Sequence, residues 1–132
     1  MGARFERSLA AGAPGLSALI AEIEAWLDAA GVPPAQAARM MIVFDEVLSN
    51  ISKHGGGTLS VAIAIADRRL TATVVDDGPP FDPLARETPA TDLDIDDRAI
   101  GGLGIHLVRQ LMDDVAYARV DDRNRLIFSK TF

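Results

Sequence analysis

The chain of 132 residues contains no cysteine. That excludes disulfide staples, thiol nucleophiles and cysteine-ligated zinc. Its two histidines, His54 and His106, are too far apart in sequence to give metal-site spacing. Basic charge is in deficit, with 13 Lys and Arg against 19 Asp and Glu and a net charge of −6. Such a balance argues against nonspecific nucleic-acid binding, which needs basic patches to neutralise phosphates. No apolar run reaches membrane-spanning length, and the start, MGARFERSLAAGAPG, lacks the apolar core of a secretory signal. There is no GxxxxGK[ST] loop, no GxGxxG fingerprint and no nucleophile elbow. Internal repeats and domain linkers are absent too.

What is present is an ordinary globular composition, 48% hydrophobic and 24% charged. The length implies a single domain over 1–132, large enough for a core without staples. The expected location is the cytoplasm.

Residues 3–10 alternate loosely and suggest an edge strand. Leu16, Leu19, Ile20, Ile23, Trp26 and Leu27 recur at helical spacing, and Gly31 ends that helix. Pro33 and Pro34 open a second helix that runs to Lys53 or His54, with Met40, Met41, Phe44, Val47, Leu48 and Ile51 on its apolar face. Residues 58–66 and 70–76 alternate and are rich in β-branched side chains, which predicts a hairpin turned by residues 67–69. Residues 77–100 change character, with Pro79, Pro80, Pro83 and Pro89 among many acids. A loop of that length in a compact domain is usually functional. A third helix starts at Gly102, and strands near 115–120 and 125–131 flank a turn at 121–124. The order β-α-α-β-β-loop-α-β-β predicts an α+β two-layer sandwich, a mixed, mostly antiparallel sheet with about three helices on one face.

Three polar features stand out against this frame. Glu46 and Asn50 lie one helical turn apart, on one helix face. Alone, they read as an ordinary solvated helix surface. The strand at 70–76 ends in Asp76-Asp77-Gly78, which alone reads as a turn. A carboxylate at a strand end can also accept a hydrogen bond from an exocyclic amine such as adenine's, with Gly78 letting a ring approach. Gly101-Gly102-Leu103-Gly104 leads into a helix, where backbone amides favour anions and glycine permits close approach. His54 fits a helix C-terminal cap, His106 a structural or surface position, and Trp26 the core.

Taken in order, Glu46-x3-Asn50, Asp76-x-Gly78 and Gly102-x-Gly104 resemble the asparagine box and the two glycine boxes of the Bergerat ATP-binding fold. That superfamily includes the ATPase domains of gyrase and MutL and the catalytic domain of histidine kinases. The small size, Phe81-Asp82-Pro83 and the stretch GGLGIHLVRQLMDDVAY look like the single-domain anti-sigma factor serine/threonine kinases of bacterial partner switching. The likeness covers about residues 4–131. Asp77 with Pro79-Pro80, Ile51 and Ile100 depart from the family pattern.

The resemblance implies specific roles. Asn50 would coordinate Mg²⁺ on the ATP phosphates. Asp76 would hydrogen-bond the adenine amine, with Gly78 beside the ring. Gly102, Leu103 and Gly104 would bring amides near the phosphates, and Arg98 would reach the terminal one. Residues 82–100 would form the ATP lid, and Glu46 would act as the catalytic base toward a substrate hydroxyl. The implied partners are an anti-anti-sigma (STAS-like) substrate protein, a sigma factor and a second copy in a homodimer, with no nucleic acid or membrane. Two rival readings share this pocket. One is a noncatalytic, nucleotide-dependent binding module, and the other a stand-alone histidine-kinase-like catalytic domain.

Overall fold

The fold is taken from a computed structural model, which describes residues 2–10, 15–54, 57–80, 82, 84 and 103–132. The elements are β1 (Ala3–Ala10), α1 (Leu16–Ala29), α2 (Pro34–His54), β2 (Thr58–Ala66), β3 (Arg69–Asp76), α3 (Leu103–Leu111), β4 (Asp114–Val120) and β5 (Arg123–Thr131). The five strands form one sheet in the order β1-β2-β3-β5-β4. Each pairing among them is antiparallel, so no parallel pair occurs among the described residues. The predicted α+β arrangement of a sheet with about three helices is the observed one, but the sheet expected to be mixed is antiparallel at each described pairing.

Strand alternation decides which face is buried. Leu59, Val61 and Ile63 of β2, Leu70, Ala72 and Val74 of β3, and Leu126 and Phe128 of β5 are all buried. They meet Leu19, Ile23 and Leu27 of α1, Met40, Val43, Phe44 and Leu48 of α2, and Val108 of α3 in one core. Phe44 and Phe128 join the layers edge to face, with centroids 5.3 Å apart. Trp26 is partly buried on the same core and tilts against Phe5 at 5.8 Å.

Helix ends follow from backbone chemistry. Gly31, at φ +84°, closes α1 in a left-handed turn. Its N–H donates to Asp28 O, and that of Val32 to Leu27 O, the paired bonds of a Schellman motif. Pro34 opens α2, where its missing N–H would have had no helical partner.

The hairpin turns are tighter than the sequence suggests. Asp67 and Arg68 both have positive φ, as do Asp121 and Asp122. Such mirror-image turns need only two residues and match the twist of the flanking strands. Consequently Arg69 joins β3, and Arg123 and Asn124 join β5 instead of the turn.

Candidate functional site

The two ladders that meet at the C-terminal end of β3 build the site. Asp76 is the last residue of β3 and lies opposite Asn124, at the start of β5. Alternation turns Asp76 to the helix-covered face, and only 5% of it is exposed. A carboxylate there requires hydrogen bonds to offset its lost hydration. It receives two on one oxygen. The N–H of Gly78 donates to Oδ1 at 3.0 Å and the Asn124 side-chain amide donates at 3.1 Å. Gly78 is itself buried, so the turn after β3 sits against the acid.

The next residue faces the other way and has a different task. Asp77 is exposed, and its carboxylate accepts the backbone N–H of Thr58 at 2.7 Å and the Thr58 hydroxyl at 3.2 Å. The Thr58 backbone bond holds the Asp77 carboxyl below the usual carboxylate range. Desolvation opposes this, while the Thr58 hydroxyl and the Arg123 charge reinforce it. Gly57 makes the clamp possible. It has φ +72°, and a Cβ there would lie 2.0 Å from Asp77 Oδ1. The clamp ties the entry of β2, just after α2, to the exit of β3.

Glu46 and Asn50 are both half-buried on α2. The Asn50 Nδ2 donates to Glu46 Oε1 at 3.1 Å. The amide nitrogen is thus committed to Glu46, and Asn50 Oδ1 is left as a hard oxygen ligand. Magnesium is typically held by one or two protein oxygens plus substrate phosphates and waters, which this donor set suits. No cluster of three His, Asp or Glu residues occurs among the described residues.

Leu103 and Gly104 begin α3, which ends where β4 starts, at the opposite end of the sheet from Asp76. Chain connectivity therefore directs the α3 N-terminus toward the Asp76 end. Arg109 Nη2 of α3 donates to Leu84 O at 2.7 Å, while Leu84 N–H donates to Asp82 Oδ1 at 2.8 Å. Gly102 and Arg98 lie outside the described residues, as does the proposed lid apart from Asp82 and Leu84. Glu46 meets Asn50, and Asp76 meets Gly78. No hydrogen bond among the described residues joins the first pair to the second.

Sequence reasoning missed the β4–β5 side of the site. Asn124 Nδ2 also donates to Pro79 O at 2.8 Å, and Arg119 Nη1 donates to Gly78 O at 2.8 Å. The Tyr117 hydroxyl donates to Asn124 Oδ1. The sequence pattern assigns Asn124 to the turn at 121–124, because Asn is a turn former. The available signal was the two-residue turn, which places Asn124 in register with Asp76.

The family described as "Histidine kinase-like ATPase domain" matches residues 10–130. The chain belongs to that family. Over 87 residues this histidine kinase-like ATPase domain is 30% identical to "Serine/threonine-protein kinase BtrW" of Bordetella bronchiseptica. That match covers 62% of this chain and 61% of BtrW. In fold, it is similar to the structure of the RsbU and RsbW domains of Rv1364c from Mycobacterium tuberculosis, with TM-score 0.69 and 16% identity. There 98% of this chain and 32% of the other are covered. It is also similar to the SiaB–SiaC complex structure from Pseudomonas aeruginosa, with TM-score 0.67 and 17% identity over 96% of this chain and 88% of the other. Membership of an ATPase domain family implies nucleotide binding and supports kinase-type chemistry. No helix among the described residues is long and apolar enough to cross a membrane.

Proposed function

We propose that this chain is an Mg-ATP-dependent protein serine/threonine kinase that acts as an anti-sigma factor in partner switching. The observation that carries the reading is the buried Asp76, seated beside the equally buried Gly78 at the strand end. A buried carboxylate with one oxygen left over by its donors among the described residues is suited to an exocyclic amine. The family match and the likeness to BtrW support a kinase rather than another use of the pocket. The RsbW-domain and SiaB–SiaC neighbours share the fold and favour a protein substrate of the anti-anti-sigma, STAS-like class.

In this reading Asp76 and Gly78 seat adenine, and Gly102, Leu103 and Gly104 present amides to the phosphates. Arg98 contacts the terminal phosphate, and residues 82–100 cover the nucleotide. Asn50 holds Mg²⁺, which supplies charge neutralisation to the phosphates when bound. Glu46 accepts the proton of the substrate hydroxyl. The hydroxyl oxygen bonds to the γ-phosphorus, the bond to the β–γ bridging oxygen breaks, and ADP leaves with that electron pair. The Asn50 amide holds Glu46 through Oε1, which leaves Oε2 for the proton. The same protein, nucleotide-bound and before phosphotransfer, sequesters a sigma factor. The domain acts as a cytoplasmic homodimer.

The test is transfer of label from γ-labelled ATP to STAS-like proteins of the source genome. Wild type is expected to label one of them. Glu46→Ala is expected to lose about 10²-fold or more of that transfer while keeping its ATP-induced rise in unfolding temperature. Full transfer by Glu46→Ala would remove the base assignment. Nucleotide-dependent partner binding without transfer would favour a noncatalytic module.

A further inference from the structure

The β4–β5 hairpin carries a relay that ends on Asp76. Tyr117 and Arg119 of β4 share the inward face with Asn124 of β5, since Arg119 lies opposite Asn124 and Tyr117 opposite Leu126. Tyr117 is half-buried, and Asn124 is 6% exposed. The hydroxyl of Tyr117 donates to Asn124 Oδ1. On the other side of the amide, Nδ2 donates to Asp76 Oδ1 at 3.1 Å and to Pro79 O at 2.8 Å. Each polar atom of the amide is therefore used, and its polarity is fixed. A flipped amide would set Oδ1 against a carboxylate and a carbonyl, neither of which can donate.

The fixed amide in turn fixes the acid. Asp76 Oδ1 takes both protein donors, Gly78 N–H and Asn124 Nδ2. The carboxylate plane is set by two directions, and Oδ2 remains as the acceptor for a ligand. A 6-amino purine offers a donor to that oxygen. A 6-oxo purine offers a carbonyl, so two acceptors would face each other in a buried site. Leaving buried polar groups unpaired is what makes such sites selective.

We propose that Tyr117 and Asn124 are specificity-determining positioning residues, which make Asp76 an obligate acceptor and so select 6-amino over 6-oxo purine nucleotides. This rests on the nucleotide reading of Asp76 given above. Tyr117 touches no nucleotide; it acts through Asn124. Without Asn124, Asp76 loses one of its two anchors and can rotate out of the path of a carbonyl.

The experiment is fluorescence titration of the full chain with mant-labelled ATP and GTP in Mg²⁺. Wild type, Tyr117→Phe, Asn124→Ala and the double variant are compared, with unfolding midpoints measured without nucleotide. Wild type is expected to prefer ATP. Asn124→Ala is expected to lower the ATP:GTP affinity ratio about tenfold, the scale of one hydrogen bond to a charged group. Tyr117→Phe is expected to lower it about threefold, and to add nothing in the Asn124→Ala background, because residues in one relay are not additive. If Asn124→Ala fails to fold, Tyr117→Phe, which preserves the ring, still reads the ratio.

Wild-type ratios in both folded single variants would overturn the proposal, as would additive effects in the double variant. Equal affinity of wild type for ATP and GTP would overturn it while leaving the nucleotide reading intact. No binding of either nucleotide by wild type would overturn that reading, and this inference with it.

Discussion

The two ends of the sheet hold carboxylates in opposite ways. At the end formed by Arg69, Asp113 and Ser129, acids meet cations in the open. Lys130 Nζ lies 3.3 Å from Asp113 Oδ1, and Arg69 Nη2 lies 3.0 Å from Asp114 Oδ2. Asp113 also accepts the N–H of Thr131 at 2.7 Å, and the buried Ser129 hydroxyl is satisfied by Arg69 at 2.7 Å. At the other end Asp76 is buried, and its donors among the described residues, Gly78 and Asn124, are neutral. A buried acid without a cation costs stability unless something compensates. The Asp113 end is organised to close the sheet. The Asp76 end keeps an acceptor in reserve, which suits a ligand.

Substitutions should separate the two ends, and the largest effect is expected at Asp76. Asp76→Ala should reduce ATP affinity about 10²-fold, the scale on which a hydrogen bond to a charged group is lost from a buried site. Asp113→Ala, measured in the same titration, should leave ATP affinity unchanged. Equal losses at both ends would erase the contrast.

Gly57→Ala ranks next. The φ of +72° and the 2.0 Å approach to Asp77 Oδ1 both oppose a side chain. The left-handed conformation alone should cost about 1–2 kcal/mol in denaturant unfolding. An unchanged midpoint would mean that the Thr58–Asp77 clamp gives way freely.

The pH dependence of stability is a subtler difference. The Thr58 backbone bond lowers the Asp77 carboxyl, and the Thr131 backbone bond lowers the Asp113 carboxyl, each against some desolvation. A folded pKa below the unfolded one stabilises fully above the ordinary carboxylate value of about 3.9. That contribution is lost as pH falls through the lowered value. Asp77→Asn and Asp113→Asn should therefore each flatten the acid limb of the stability curve and leave its slope near neutrality unchanged. The smallest effect is expected from Arg69→Ala, whose ion pair with Asp114 is exposed at 45% and 74%. Such pairs contribute about 0–1 kcal/mol, although loss of the buried Ser129 bond would place the result toward the upper end.

The sequence made most of the architecture legible because periodicity is local. Leu19, Ile23 and Leu27 announce one helix face, and Val61 and Ile63 one strand face, without reference to distant residues. Glu46 and Asn50 were legible for the same reason, being one turn apart, and their mutual hydrogen bond follows from that spacing. The partners of Asp76 were not. Asn124 lies 48 residues away, and only the sheet order, with β5 inserted between β3 and β4, brings it alongside. Arg119 and Tyr117 are hidden by the same crossover. The Thr58–Asp77 clamp also joins positions 19 residues apart. The strand boundaries at Arg69 and Arg123 were obscured because polar residues that read as turn actually form ladder.

Under the proposed function, the Asp76 end is an Mg-ATP site completed by Asn50. Its most direct test is the unfolding midpoint of wild type and Asn50→Ala, each with and without excess Mg-ATP. A clear rise is expected for wild type, equivalent to about 2.7 kcal/mol at a hundredfold excess over Kd, and its loss in Asn50→Ala. An unchanged wild-type midpoint, or an equal rise in Asn50→Ala, would contradict it.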